Sequence, residues 1–287
     1  MPRPGMKRAW LLVGLLATAA AATAACTALV PDLPAQPDAG VQDGGGDAPG
    51  ADASTEVSGS DASVGTSDTS DAAPPDAFAP DGSPTCVQNH SKASGNVAVT
   101  TLSAPFEDAQ TAGDLIIAIV FVEPGNVSQP PTDSMGNQYH LAKHQADTGT
   151  KSVDVYLWYA WNIAAAKPYD NTVTIMTTNG AYTDLILEEW TNVQSTADPL
   201  DTTGGASAQP SAPRCSLSPT APGVVIAGSA SYIGQTGAAS GSTLRVQTTD
   251  NDVAVDRLVF APGPVTVGST PIDSDWTIAA AVFKAAP

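Results

Sequence analysis

The densest aromatic run of the chain is Tyr156-Leu-Trp-Tyr-Ala-Trp161. Successive side chains of a strand point to opposite faces, so Leu157, Tyr159 and Trp161 share one face and Tyr156 and Trp158 the other. Only one face is needed for a core. If the second is open, Tyr156 and Trp158 form a stacking platform for sugar rings, apolar bodies with polar tips; if loops cover it, both faces are core. The densest oxygen cluster is Asp250, Asn251, Asp252 and Asp256. Asp250, Asp252 and Asp256 offer the hard oxygen ligands that calcium takes, while Asp-Asn-Asp is equally ordinary turn chemistry. His140 and His144 are four apart and would share a face of either a helix or a strand, two metal nitrogens with no evident third ligand. Glu188 and Glu189 are the nearest approach to a glycosidase pair, for which a spacing of about 5–9.5 Å would be required. No G-x-S-x-G elbow, phosphate loop or zinc signature occurs.

Cys86 and Cys215 are the cysteines that remain once the N-terminal Cys26 is set aside. In an exported chain two such residues are expected to pair. The bridge would close a loop of about 130 residues, worth about 5 kcal/mol in the chain-entropy model.

The elements that must carry these residues are strands. Leu115–Val122, Val153–Trp161, Asn171–Met176, Asp184–Leu187, Val224–Ala227, Leu244–Gln247, Val253–Phe260 and Trp276–Phe283 are rich in β-branched and aromatic residues, with Gly, Pro, Asn and Asp between them. No segment keeps a 3.6-residue period over three turns. The expected fold is all-β, a sandwich or jelly roll over residues 85–287. Ala112-Gly-Asp-Leu-Ile-Ile-Ala118 is echoed by Ala221-Pro-Gly-Val-Val-Ile-Ala227, and matching elements follow each, which predicts two pseudo-repeated halves, about 85–205 and 206–287, forming two intertwined sheets.

What precedes this domain sets its address. Arg3, Lys7 and Arg8 flank an apolar run from Ala9 that ends Thr23-Ala-Ala-Cys26, the grammar of an export signal over residues 1–25. The junction resembles a bacterial lipoprotein signal, which implies lipidation at Cys26 and a stable outer-membrane or cell-surface anchor. Thr23 departs from the bulky aliphatic usual three residues before such a cysteine; ordinary cleavage and an uncleaved anchor are the alternatives. Residues 26–84 then form an Asp/Ala/Gly/Ser/Pro linker with eleven acids and no base after Cys26. Such a composition cannot bury enough apolar surface to order itself, and as a coil it would reach roughly 40 Å. From residue 85 onward eighteen acids face eight bases, which argues against nucleic acid as a partner.

The strand residues themselves carry a resemblance. Ala112-Gly-Asp-Leu-Ile-Ile-Ala118, Thr132-Asp-Ser-Met-Gly-Asn-Gln-Tyr139, Leu157-Trp-Tyr-Ala-Trp-Asn-Ile163, Asn171-Thr-Val-Thr174 and Leu187-Glu-Glu-Trp-Thr-Asn-Val193 resemble a β-sandwich module of secreted bacterial proteins. Its running pattern is AGDLLV…DSAGNTY…LWYAKN…NTVTV…LEYSGV, often beside Ig-like and carbohydrate-binding domains. The resemblance covers most of residues 95–285 and implies a fold, with no catalytic residue to carry over. The expectation is a lipid-anchored, non-catalytic surface module that binds glycan or an envelope protein. A jelly-roll glycoside hydrolase or lyase and a structural protein of the envelope are the competing classes.

Overall fold

The computed structural model describes residues 82–148, 153–208, 211–231, 235, 237–270 and 274–287. The expected export signal, the expected lipidation site Cys26 and the expected linker through Asp81 lie outside the described residues. The described residues form strands and loops only, and no helix among them is long and apolar enough to cross a membrane.

The first half supplies β1 (Thr85–Ala93), β2 (Val99–Pro105), β3 (Leu115–Glu123), β4 (Thr132–Asp133), β5 (His140–Gln145), β6 (Asp154–Trp161) and β7 (Thr172–Thr191). The second supplies β8 (Leu200–Ala208), β9 (Arg214–Leu217), β10 (Gly223–Ser231), β11 (Thr243–Gln247), β12 (Val253–Val259), β13 (Val265–Gly268) and β14 (Trp276–Lys284). Antiparallel pairing gives one sheet in the order β1-β7-β3-β6-β5 and a second in the order β8-β14-β10-β12-β11. The order is the same in both, strand for strand, so the pseudo-repeat is a repeat of topology. Two expectations need adjusting. Each half builds one whole sheet, so the halves face each other and are not intertwined. The boundary falls before Leu200, because β8 takes the edge place in the second sheet that β1 takes in the first.

Three apolar layers follow from this stacking. Between the sheets, Leu115, Ile117, Ile119, Phe121, Leu157 and Trp190 meet Val224, Ile226, Ala279, Ala281 and Phe283. The outer face of the first sheet is covered by β2 and the start of β7 around Leu102, Phe106, Val173 and Ile175. The outer face of the second is covered by the β9-β13 ribbon through Leu217 and Val267. The central strands β3 and β10 are thus buried on both faces, which is why they read as continuous apolar runs instead of alternating ones. Each fully buried Ile or Phe contributes about 1.5–3 kcal/mol.

β7 joins what the sequence suggests are two strands. It bends at Asn179 and Gly180, both with positive φ (62° and 72°), a conformation that Asn and Gly tolerate best. Before the bend it pairs with β2, and after it with β1 and β3. Gly228 of β10 marks a close approach of the sheets, since a Cβ there would run into the Cγ2 methyl of Ile119.

Candidate functional site

The alternation expected for the aromatic run is present, and both of its faces are core. Tyr156 and Trp158 are 6 % and 8 % exposed. Tyr156 donates to Asn126 Oδ1 at 3.1 Å and stacks on His144, ring centroids 4.0 Å apart. The open platform is therefore not formed, because the β2 layer covers that face.

The Cys86–Cys215 bridge is likewise not formed. Cys86 packs in the layer between the sheets, and Cys215 on the outer side of the second sheet. A whole sheet separates them, and a disulfide tolerates Cα atoms only about 7 Å apart at most. Burial raises the Cys86 thiol far above its ordinary range, with the Glu188 charge adding to the effect.

His140 and His144 do not share a face. β5 carries a bulge between Leu141 and Lys143, and one extra residue reverses the alternation beyond it. His140 lies against Tyr159 and Trp161 on the inter-sheet side, whereas His144 lies on Tyr156 and meets Asp154 Oδ2 at 2.9 Å. Glu188 and Glu189, adjacent on β7, also part company. Glu189 turns to the other side and accepts from the Thr111 backbone and Gln88.

β11 carries a bulge at the equivalent place, between Leu244 and Val246. In β5 the extra residue is Ala142; in β11 it is Arg245, aimed between the sheets. Arg245 donates to Asp256 through Nε and, at 3.1 Å, through Nη2 to Oδ2. Its guanidinium lies 5.3 Å from the centroid of the Trp190 ring, a cation–π distance. Trp190 Nε1 donates to Glu188 Oε2 at 2.8 Å. The side chains of Arg245 and Asp256 are 6 % and 1 % exposed and Glu188 is fully buried. Burial pushes the Glu188 carboxyl up to about 7, with Asp256 adding to the rise and Trp190 and Arg245 opposing it. This charged cluster is buried, and Glu188 Oε1 in it has no hydrogen-bond partner among the described residues.

The same inter-sheet layer ends in an open cleft of about 590 Å³. It is lined by the turn after β1, the end of β3, the middle of β7, the ends of β6 and β10, and the hairpin between β11 and β12. Period two decides what enters it. Asp184 lies on the face of β7 that carries Ile186 and Glu188, and Asp252 on the face that leads to Ala254 and Asp256. A strand rises about 3.3 Å per residue, so the four residues from Asp252 to Asp256 span about 13 Å. That distance separates the cleft from the Arg245 cluster. It also overturns the expected calcium set of Asp250, Asp252 and Asp256: Asp256 is held by Arg245 while the other two line the cleft. Among the described residues no three His, Cys, Asp or Glu side chains converge as a metal site.

Glu123, Asp184, Asp250 and Asp252 bring four carboxyls to the cleft, with the amides of Asn96 and Asn251. Glu123 pairs across the strands with Tyr182, whose ring is 48 % exposed. No Lys, Arg or His is among the described residues that line it. Its hairpin side is pre-set: Thr248 N donates to Asp252 O at 2.8 Å, Asn251 N to Thr248 O at 3.0 Å, and Gln247 Nε2 to Asn251 Oδ1 at 2.8 Å. Asn251 takes φ 68° there. Burial raises Asp184 to about 6, and the charge of Asp250 adds to the shift. Asp252 is raised well above the usual range by burial, then by the charges of Asp184 and Asp250. Two buried oxygens on the wall, Asp184 Oδ2 and Ser231 Oγ, have no hydrogen-bond partner among the described residues.

Sequence reading reached Asp250 and Asp252 but missed Glu123, Tyr182 and Asp184. A signal for Asp184 exists: it stands on the apolar face of β7 two residues before Ile186, where a core strand has no use for a carboxylate. No protein-family model matches the chain, and no curated protein or solved structure matches it either.

Proposed function

We propose that this β-sandwich is a non-catalytic binding module, carried outside the cytoplasm on an acidic linker from a lipidated Cys26, and that it takes a glycan of the cell envelope in the inter-sheet cleft. The observation that carries the reading is the cleft's lining. Carboxylates and side-chain amides accept and donate to neighbouring hydroxyls, and Tyr182 stands exposed beside them as the ring on which a sugar can stack. A concave site with a few convergent polar groups is the usual form of a small-ligand site. The resemblance of the strand pattern to a module found beside carbohydrate-binding domains supports the same class.

Titration of the full chain with envelope-type oligosaccharides tests this. Saturable binding that falls about tenfold or more in Tyr182→Ala, the loss of about 1.4 kcal/mol of stacking, is expected. Binding that survives both Tyr182→Ala and Asn96→Ala, or no binding to any glycan, would end the reading.

One observation favours a second class. Asp184 and Asp252 are neighbouring carboxyls with raised proton affinity in one cleft, the kind of pair that supplies an acid and a base in glycoside hydrolysis or lyase chemistry. Release of new reducing ends by the wild type, abolished in Asp184→Asn and in Asp252→Asn, would make this reading the correct one.

A further inference from the structure

We infer that the ligand of this cleft carries a protonated primary amine, so that the glycan it selects is an amino sugar with the amine free and charged. The inference rests on the glycan reading above and narrows it.

Three features point to an ammonium group. The first is charge. The four carboxyls that line the cleft have no cationic side chain among its described lining residues. The second is the unmet hydrogen bonding. Asp184, 4 % exposed, and Ser231, 6 % exposed, each present a buried oxygen with no partner among the described residues. An unpaired buried polar atom is costly, and the cost is recovered when a donor arrives. An ammonium brings three donors on one atom, and Asp184 Oδ2 and Ser231 Oγ are acceptors of the kind it needs. The third is size. A bare metal ion asks for several oxygens converged on a point, and no such set exists among the described residues. The cleft instead has room for a ligand body, with Phe121, Val122 and Val153 in its wall.

Protonation of the wall agrees with this. Burial and mutual repulsion raise the proton affinity of Asp184 and Asp252, the cost of holding acids together without a cation. The charged groups facing Asp184 are Asp250 and Asp252 from the hairpin and Glu123 from β3, all acids. A ligand cation lowers the proton affinity of each of them.

The test uses the full chain at pH 7.5 with three probes: a trisaccharide bearing primary amines, the same trisaccharide N-acetylated, and a short lysine-containing peptide. The amine form is expected to bind about ten- to a hundredfold more tightly than the acetylated form, the value of one charge-assisted hydrogen bond set. Asp184→Asn should remove most of that difference. Because Asp184 is buried, Asp250→Asn on the exposed rim is the second variant, expected to remove a smaller part. Equal binding of both sugars, lost in Tyr182→Ala, would overturn the amine inference and leave the glycan reading intact. Binding of the peptide with neither sugar bound would overturn both. Lys151 lies outside the described residues, so Lys151→Ala joins the series. If only that variant prefers the amine, the cleft's cation belongs to the protein and the inference fails.

Discussion

Strand β7 and the hairpin that runs into β12 each carry two acids four residues apart on the face between the sheets: Asp184 and Glu188 on β7, Asp252 just before β12 and Asp256 within it. The inner two, Glu188 and Asp256, share the layer with Arg245 and Trp190 and are buried. The outer two line a cleft together with Glu123 and Asp250. Chemistry and face are the same. What differs is the countercharge, present inside because a bulge in β11 turns Arg245 inward and missing from the described lining of the cleft. Inside, the acids are explained by the fold. At the open end the acids raise one another's proton affinity with no cationic side chain among the described lining residues, which is what a site completed by a ligand looks like.

The largest effect should come from removing the inner countercharge. Arg245→Met leaves Asp256 and Glu188 buried without their cation, and chemical denaturation should show a loss of about 3–5 kcal/mol. Arg245→Met combined with Asp256→Leu should recover most of it, because an ion pair replaced by apolar groups of similar volume is often neutral. If the single substitution costs under 1 kcal/mol, the inner acids do not depend on Arg245 and the contrast collapses.

A pH effect of opposite sense is expected at the open end. Asp184 moves from an ordinary 3.8 to about 6 on folding. The folded state therefore holds this proton more tightly than the unfolded chain does, and stability falls as pH rises between about 4 and 6. Glu189, also raised to about 6, and Glu188, raised to about 7, contribute in the same direction. Asp184→Asn should flatten the part of the fall that ends near pH 6 and make the domain more stable than the wild type at neutral pH. A variant less stable at pH 7, with the slope unchanged, would show that Asp184 is held by the fold as Asp256 is.

The smallest effect on stability is expected at Tyr182. Its ring is half exposed, so Tyr182→Ala should shift unfolding by about 0.5 kcal/mol or less while reducing glycan binding. A large loss of stability would make Tyr182 a core residue of the open end and weaken the case for a stacking surface.

How much of this could be read in advance varies by residue. Strand runs, their alternation and the repeat of elements were legible, since they are local and periodic, and the echo of residues 112–118 in 221–227 marks the two central strands. The cover over Tyr156 and Trp158 was not, because it comes from β2, some fifty residues earlier in the chain. The two bulges were not legible either. One extra residue reverses a face, and with it the fates of His144 and Arg245, yet nothing in Leu-Ala-Lys or Leu-Arg-Val announces it. Asp250 and Asp252 were visible as a cluster. Their partners Glu123 and Asp184 come from strands that pair only across long sequence separations, so the cleft exists only once the sheets are stacked.

The countercharge claim can be met head on by calorimetric titration of the full chain with the amine-bearing trisaccharide at pH 6, in two buffers of different ionisation enthalpy. Asp184 is about half protonated there, and an arriving ammonium should drive that proton off. The predicted result is net release of protons on binding, up to about one per ligand, that disappears in Asp184→Asn. Binding with no proton release, or with proton uptake, would contradict the account.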